Sequence, residues 1–211
     1  MKIKSFRYKW VSPSEGACNY VMVVLHGLGD SSQGYSWVPY EIPMNQTGYL
    51  LLNAPDPYYG GYSWFNFPEP MEPGILRSRN LLFALMEELQ EAGFGPSQIY
   101  FFGFSQGCLM SLDLALHYPA PLGGICGVSG YLGLEHEYPL GLSPFASQQK
   151  ILLTHGLADP LIPEAASALQ YKKLSSWGVP LEYKTYSKVH TLIPEEIEYI
   201  HQWFIKIRQG N

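Results

Sequence analysis

Short, continuously apolar stretches alternate with longer amphipathic segments, and this alternation constrains the fold more than any other feature of the sequence. The apolar stretches cover residues 20–25, 49–52, 99–104, 124–128, 151–154 and 181–186, and residues 6–11 form a candidate edge strand. Most of these stretches show no polar alternation, which is typical of strands buried on both faces of a parallel sheet.

The segments between the apolar stretches have helical periodicity. In the longest of them, Leu82, Leu85, Met86 and Leu89 fall on one stripe, and Gly93 follows as a stop signal. Helices are predicted over residues 76–92, 106–118, 164–177 and 195–208. Strands alternating with helices in this way predict one α/β domain over residues 1–211, with helices on both faces of a mostly parallel central sheet.

Two long segments, residues 54–74 and 131–149, do not fit this alternation. Structureless loops of such length are uncommon in compact domains and are often functional. The first is rich in proline and also concentrates aromatic rings, at Tyr58, Tyr59, Tyr62, Trp64, Phe65 and Phe67. Two interpretations stay open: the segment packs its rings on the domain, or it walls an apolar pocket.

Composition restricts the partners and the compartment. The 211 residues carry a net charge of −5, so nucleic acid and anionic membrane surfaces are not expected partners. The longest early apolar run, residues 20–25, is too short to span a bilayer, so no stable membrane insertion is expected. Cys18, Cys108 and Cys126 lack metal or CxxC spacing. These features predict a reduced, cytoplasmic protein without a metal, and they leave its oligomeric state open.

The strongest chemical signal is the sequence Gly-Phe-Ser-Gln-Gly at residues 103–107. This G-x-S-x-G pattern lies between a predicted strand and a predicted helix, where a tight turn strains the serine backbone and small flanking residues avoid clashes. The helix N-terminus offers free N–H groups where an oxyanion would form. Ser105 is therefore a candidate nucleophile, although a glycine-rich turn alone could produce the same pattern.

A serine nucleophile needs a base, and that base needs an acid to orient it. Asp159 follows the predicted strand 151–154, and His190 follows the strand 181–186, which matches the chain order Ser, Asp, His of α/β-hydrolases. Both residues lie past carboxyl ends of strands, where parallel sheets bind ligands. His155 is a rival base, because it also lies at a strand end.

The remaining histidines and two aspartates have plainer interpretations. His117 and His201 fall on predicted helices, and His136 lacks a partner at metal-binding spacing. Asp113 is expected on a solvated helix face, and Asp56 on the rim of the aromatic segment.

The turn after the first core strand reads Leu-His-Gly-Leu-Gly-Asp at residues 25–30. Ser32 stands where a dinucleotide-binding G-x-G-x-x-G motif needs its third glycine, so no nucleotide cofactor is expected. In a hydrolase, such a turn aims a backbone N–H at the oxyanion. Leu28 would supply one donor and Gln106, which follows the nucleophile, the other.

Together these motifs resemble the phospholipase/carboxylesterase family of small α/β-hydrolases, which includes acyl-protein thioesterases. The resemblance rests on LHGLGD at residues 25–30, SWF at 63–65, GFSQG at 103–107, HGLADPLIP at 155–163, and His190. It implies an α/β-hydrolase fold without a large cap domain, a Ser105–Asp159–His190 triad, and no cofactor. It also implies that Trp64, with Phe65 beside it, lies near the acyl pocket. Val189 departs from the family, which usually has glycine before the base.

The sequence thus predicts a serine hydrolase that cleaves carboxylic esters of small-molecule or acyl-chain substrates, with thioesterase or lysophospholipase activity as variants. A peptide or C–C bond hydrolase of the same fold is an alternative, because fold and triad do not choose the substrate. A non-catalytic ligand-binding protein with this fold is a second alternative.

Overall fold

The computed structural model describes residues 2–68 and 70–210. Met1 and Asn211, the ends of the predicted domain, and Glu69, within the first long segment, lie outside the described residues. The strands are β1 (Arg7–Val11), β2 (Tyr20–Leu25), β3 (Thr47–Asn53), β4 (Asp56–Tyr58), β5 (Gly61–Ser63), β6 (Ile99–Phe104), β7 (Gly124–Val128), β8 (Ile151–Gly156) and β9 (Glu182–Tyr186). The helices are α1 (Val38–Glu41), α2 (Glu72–Glu91), α3 (Gln106–His117), α4 (Glu164–Ser176) and α5 (Pro194–Gln209).

Seven strands form one sheet in the order β1-β3-β2-β6-β7-β8-β9. Only β1 runs antiparallel to its neighbour, and the remaining pairs are parallel, as the apolar stretches predict. The chain moves from β2 outward to β3 and then returns to β6 on the other side of β2. The loops that follow β2 and β6 therefore flank a switch point, where open α/β sheets bind ligands.

Both faces of the sheet are covered, which explains why its strands are apolar throughout. Within β6, Phe101 packs in the cluster with α2 and α3, and Phe102 packs in the cluster on the opposite face with α5. Both side chains are fully buried. Because neighbouring strand residues point to opposite faces, a doubly covered strand needs apolar side chains at every position.

The structure corrects the view of residues 54–74 as a structureless loop. Strands β4 and β5 form a hairpin there, and backbone hydrogen bonds join it to the loop after β2: Gly29 N–H to Tyr62 O and Tyr62 N–H to Asp30 O, both at 2.9 Å. Helix α2 also begins at Glu72, four residues before the predicted start. Pro73 does not prevent this, since the first turn of a helix needs no intrahelical N–H donor.

Three of the smaller elements were not predicted. The four-residue helix α1 is too short to show periodicity, and residues 131–149 contain two short 3₁₀ helices, Glu135–Glu137 and Ala146–Gln148. Within the part of the chain that the structure describes, no helix has both the length and the apolar character needed to cross a bilayer.

Candidate active site

Ser105 occupies the sharp turn between β6 and α3. Its φ is +54° and its ψ −116°, a backbone conformation that L-residues rarely adopt. The Ser105 N–H donates to Val128 O at the end of β7, at 2.9 Å, and this bond anchors the turn to the sheet. Such strain persists only where the surroundings enforce it, and it clusters at functional sites.

The glycine two residues after Ser105 permits this turn. A Cβ on Gly107 would lie 2.1 Å from Leu25 O and 2.8 Å from His26 O, so any larger residue would push α3 away from β2. The close approach brings the helix N-terminus against the loop that follows β2. The G-x-S-x-G pattern is therefore explained by packing as well as by chemistry.

Ser105, His190 and Asp159 form a continuous hydrogen-bonded chain. His190 Nε2 lies 3.0 Å from Ser105 Oγ, and His190 Nδ1 lies 2.7 Å from Asp159 Oδ2. Since a carboxylate can only accept, Nδ1 carries the proton and Nε2 is left as the acceptor for the serine hydroxyl. Phe104 packs against the His190 ring, with the ring centroids 4.9 Å apart.

The Asp159 carboxylate is held in the orientation that this chain needs. Its Oδ1 accepts the N–H groups of Leu161 and Ile162, each at 2.9 Å, which leaves Oδ2 for His190. Burial opposes ionisation of Asp159, but the N–H of Ile162, the ring of His190 and the N–H of Leu161 outweigh it. The pKa of Asp159 is therefore lowered from its ordinary value, and the group is ionised at neutral pH.

The two predicted oxyanion donors, Leu28 and Gln106, both line the cavity beside Ser105. Gln106 is the first residue of α3, so its N–H has no intrahelical acceptor. The loop that carries Leu28 passes close to the serine, because a Cβ on the preceding Gly27 would lie 3.3 Å from Ser105 Cβ. This arrangement can place two backbone donors near an oxygen bound at Ser105.

A cavity of about 810 Å³ opens beside Ser105 and His190. Most of its wall is apolar and comes from the segment before α2, the loop after β7, and the region from Leu161 to α4. Its apolar lining residues include Leu28, Tyr35, Phe67, Pro68, Met71, Phe104, Tyr131, Leu161, Ile162, Pro163 and Ala166. Polar groups are few, among them Asp30 and Gln170. Such a cavity suits a ligand with a long apolar part and one reacting polar centre.

Trp64 and Phe65, which the resemblance predicts near the acyl pocket, do not line this cavity. Both side chains are fully buried in the core beneath it. Trp64 Nε1–H donates to His26 O at 2.9 Å, which ties its ring to the loop after β2. From the same aromatic segment, Phe67 reaches the cavity instead. Each of the two interpretations of that segment thus holds for some of its rings.

The side chain of Gln106 has a second role that the sequence did not suggest. Its Oε1 accepts the backbone N–H of Trp64 at 3.0 Å and the Ser63 hydroxyl at 3.2 Å. Its Nε2 donates to Phe65 O at 3.0 Å. One residue therefore presents a backbone donor to the cavity and fastens the SWF segment to the start of α3.

The rival base His155 lies behind the acid. Its ring is fully buried at the end of β8, where Nε2 contacts Ile162 O at 2.9 Å and lies 3.4 Å from Asp159 Oδ2. This geometry supports the loop that carries Asp159. His26 is also buried, with Nδ1 at 2.6 Å from Gly27 O and Nε2 accepting the Ala54 N–H at 3.0 Å.

We expect the protein to lose stability as the pH falls from 7.5 to 5. Burial lowers the pKa of both His26 and His155 below the ordinary 6.5, so the unfolded chain binds protons at these groups before the folded protein does. The two neutral histidines contribute fully to the free energy of unfolding above pH 6.5, and this contribution is lost as the pH falls below that value. Each kcal/mol lost should lower Tm by about 2–4 °C. Calorimetry across this range tests the expectation, and a Tm independent of pH contradicts it.

A cluster of charged side chains between α2 and α3 also corrects the sequence analysis. Asp113 is buried, not solvated, and it pairs with Arg79 through two bonds of 2.7 and 2.8 Å. Arg79 also contacts Glu137 at 2.6 Å, and His117 joins through Glu137 at 3.2 Å. Asp113, His117 and Glu137 lie close enough to hold an ion, but the Arg79 guanidinium already supplies the positive charge between the carboxylates.

The other polar candidates lie away from Ser105. His136 is exposed and lies 3.8 Å from Glu72, and His201 Nε2 contacts Pro43 O at 2.9 Å. Asp56 pairs with Arg77 at 2.5 Å and does not line the cavity.

Comparison with known proteins finds relatives over most of the chain. The Phospholipase/Carboxylesterase family profile matches residues 7–208. Acyl-protein thioesterase 1 of Schizosaccharomyces pombe is 36% identical over 166 residues, which cover 72% of this chain and 74% of that protein. A probable SOBER1-like carboxylesterase of Arabidopsis thaliana is 28% identical over 205 residues, covering 89% of this chain and 78% of the relative.

Solved structures have the same fold. The crystal structure of Arabidopsis thaliana SOBER1 superimposes with a TM-score of 0.82 at 26% identity, over 89% of this chain and 98% of that one. From its family profile, its relatives and its fold, the chain belongs to the phospholipase/carboxylesterase family and is an α/β-hydrolase that acts on carboxylic esters.

Proposed function

We propose that Ser105, His190 and Asp159 are the catalytic triad and that the substrate is a carboxylic ester or thioester with an extended apolar acyl chain. One observation carries the proposal: the chain of bonds from Ser105 Oγ through His190 to Asp159, at 3.0 and 2.7 Å, ends at the wall of an apolar cavity. One α/β domain carries the whole site.

In the proposed reaction, Ser105 Oγ attacks the carbonyl carbon while His190 Nε2 takes the hydroxyl proton. The carbonyl oxygen becomes an oxyanion, which the N–H groups of Leu28 and Gln106 stabilise. When the intermediate collapses, the bond to the leaving group breaks and His190 returns the proton to it. A water molecule, deprotonated by His190, then attacks the acyl carbon. The bond from that carbon to Ser105 Oγ breaks, His190 returns the proton to Oγ, and the carboxylic acid leaves. Asp159 stays ionised and stabilises the imidazolium.

In this proposal, the acyl chain lies in the apolar cavity. Phe67, Met71 and Tyr131 contribute to its apolar wall, so an acyl chain bound there is removed from water. Burial is worth about 0.8 kcal/mol per methylene. Activity is therefore expected to increase with chain length until the cavity is filled.

A fluorophosphonate probe tests the proposed nucleophile. It is expected to label the folded protein at Ser105, as mapped by peptide mass spectrometry, and His190→Ala should abolish the labelling. Folded protein that forms no adduct would contradict the proposal and favour the ligand-binding alternative. Turnover of p-nitrophenyl esters from acetate to palmitate, compared with matched thioesters, then defines the substrate class. A protein that cleaves only peptide or C–C bonds would contradict the ester assignment.

Phe67→Ala is expected to change chain-length preference with little loss of stability. The ring is 56% exposed and forms part of the cavity wall, so its removal enlarges the space for the acyl chain. The ratio of kcat/KM for octanoate to that for butyrate should shift by about 10-fold. Trp64→Ala is the matched comparison: it should cost about 3–5 kcal/mol of stability, because this ring fills the core. An unchanged ratio in Phe67→Ala would place the acyl chain elsewhere.

We also propose that the protein is cytoplasmic. Its three cysteines are free thiols, which is typical of proteins in a reducing compartment. Two of them, Cys108 and Cys126, are buried. Burial raises the pKa of both thiols, which keeps them protonated and unreactive. A fluorescent fusion imaged in the source cells tests this location.

A further inference from the structure

A buried ion pair lies two residues from the proposed base. Lys188 Nζ is 2.6 Å from Glu196 Oε2, and the two side chains are 1% and 0% exposed. Burial lowers the pKa of Lys188, and Glu196 opposes this shift. Because the desolvation of two charges offsets most of their attraction, such a pair contributes little net stability compared with apolar residues of similar size. Its presence beside the site therefore suggests a role other than stability.

The backbone of Lys188 is bound to the loop that carries the acid. Ala158, the residue before Asp159, donates its N–H to Lys188 O at 3.1 Å. Gly156 lies against the same carbonyl, since a Cβ there would come within 2.4 Å of Lys188 O. The acid loop and residue 188 are therefore packed backbone to backbone.

The side chain of Lys188 contacts residues that follow His190 in the chain. Nζ donates to Thr191 O at 2.7 Å, one residue past His190, and contacts Glu196 in the first turn of α5. Ser129 Oγ lies 3.5 Å from the same ammonium group. The hydrogen bonds of Lys188 thus reach the residue before Asp159 and the residue after His190.

We propose that Lys188, with Glu196 as its counter-charge, is a positioning residue. It holds the His190 ring at hydrogen-bonding distance from both Asp159 and Ser105. Lys188 does not line the cavity, so it acts through the loop and not on the substrate. The inference rests on the proposed function, because it takes His190 as the base. Loss of the ammonium group frees Thr191 and lets the imidazole drift from Ser105 Oγ.

A displaced base should slow the chemical step while leaving substrate binding almost unchanged. We expect Lys188→Met to lower kcat for p-nitrophenyl butyrate by about 10- to 100-fold, as misplacement of about 1 Å does. KM should stay within about twofold, because the acyl cavity is built from other segments.

The single variant leaves Glu196 buried without a counter-charge and so loses stability for an unrelated reason. The decisive variant is Lys188→Met combined with Glu196→Leu, which replaces the pair with apolar side chains. It should fold with wild-type Tm or higher and still show the reduced kcat. The downfield proton signal of the His190–Asp159 hydrogen bond, followed by NMR, should weaken or disappear in it. Lys173→Met is the control and should behave as wild type, because Lys173 of α4 forms an exposed ion pair with Glu135 of the 3₁₀ helix Glu135–Glu137.

A folded double variant with wild-type kcat and an intact downfield signal would overturn the inference. That outcome differs from failure of the proposed function, in which the wild-type protein itself shows neither turnover nor labelling at Ser105. The NMR signal reports the position of His190 without any substrate.

Discussion

Ser105→Ala is expected to reduce kcat for ester hydrolysis by about 10⁶-fold. Alanine removes only the hydroxyl, so the cavity and the N–H groups of Leu28 and Gln106 remain. No acyl-enzyme can form. The residual rate, which comes from binding and oxyanion stabilisation alone, should still exceed that of the uncatalysed reaction.

The measurement is single-turnover and steady-state hydrolysis of p-nitrophenyl butyrate, with Tm recorded in parallel. Tm should change little, because alanine keeps the backbone bond from residue 105 to Val128. Ser176→Ala, exposed at the end of α4, is the matched control. An alanine variant at 105 that keeps wild-type kcat would show that another group is the nucleophile.

Asp159→Asn should reduce kcat by about 10⁴-fold with the fold intact. The carboxylate fixes the His190 tautomer with its proton on Nδ1. Asparagine can keep the two N–H bonds from Leu161 and Ile162 on its Oδ1, so the loop should hold its shape. Its Nδ2 amide then faces His190 and donates to Nδ1. The imidazole proton moves to Nε2, which can no longer accept the proton of Ser105.

The same variant tests the electrostatics of the acid. The lowered pKa of Asp159 means that its ionised form stabilises the fold above the unfolded pKa, and that this contribution is lost as the pH falls through the folded pKa. Wild type and Asp159→Asn should therefore converge in stability at acid pH. Asp56→Asn, at an acid paired on the surface, is the control. A kcat that stays near wild type in Asp159→Asn would remove Asp159 from the triad.

The sequence best predicted the features that leave a clear local pattern, namely buried strands and the turn at the nucleophile. The strand Ile99–Phe104 is recognisable because a doubly covered strand is apolar at every position, and Ser105 because only small neighbours allow its turn. The contact between His190 and Asp159 was predictable from their positions in the chain. Each residue follows the carboxyl end of a strand, and the two strands are parallel neighbours.

The sequence did not predict which way the aromatic side chains point or which charged side chains pair with each other. Clustered rings do not show which of them face a cavity, so Trp64 and Phe67 could not be told apart before the hairpin β4–β5 was seen. The buried charges were missed because lysine and glutamate are rarely buried unless paired. Lys188 and Glu196 become partners only through the turn between β9 and α5, and Asp113 through the packing of α2 on α3.

The sheet order has a consequence for how this protein would fail. Ser105 follows the central strand β6, whereas His190 follows β9, an edge strand with a sheet neighbour on one side only. Edge elements open more readily than central ones, because fewer contacts must break. We therefore expect partial opening at that edge to remove the base while the nucleophile and the cavity stay formed, so that inactivation by heat or denaturant precedes global unfolding and reverses when the edge closes.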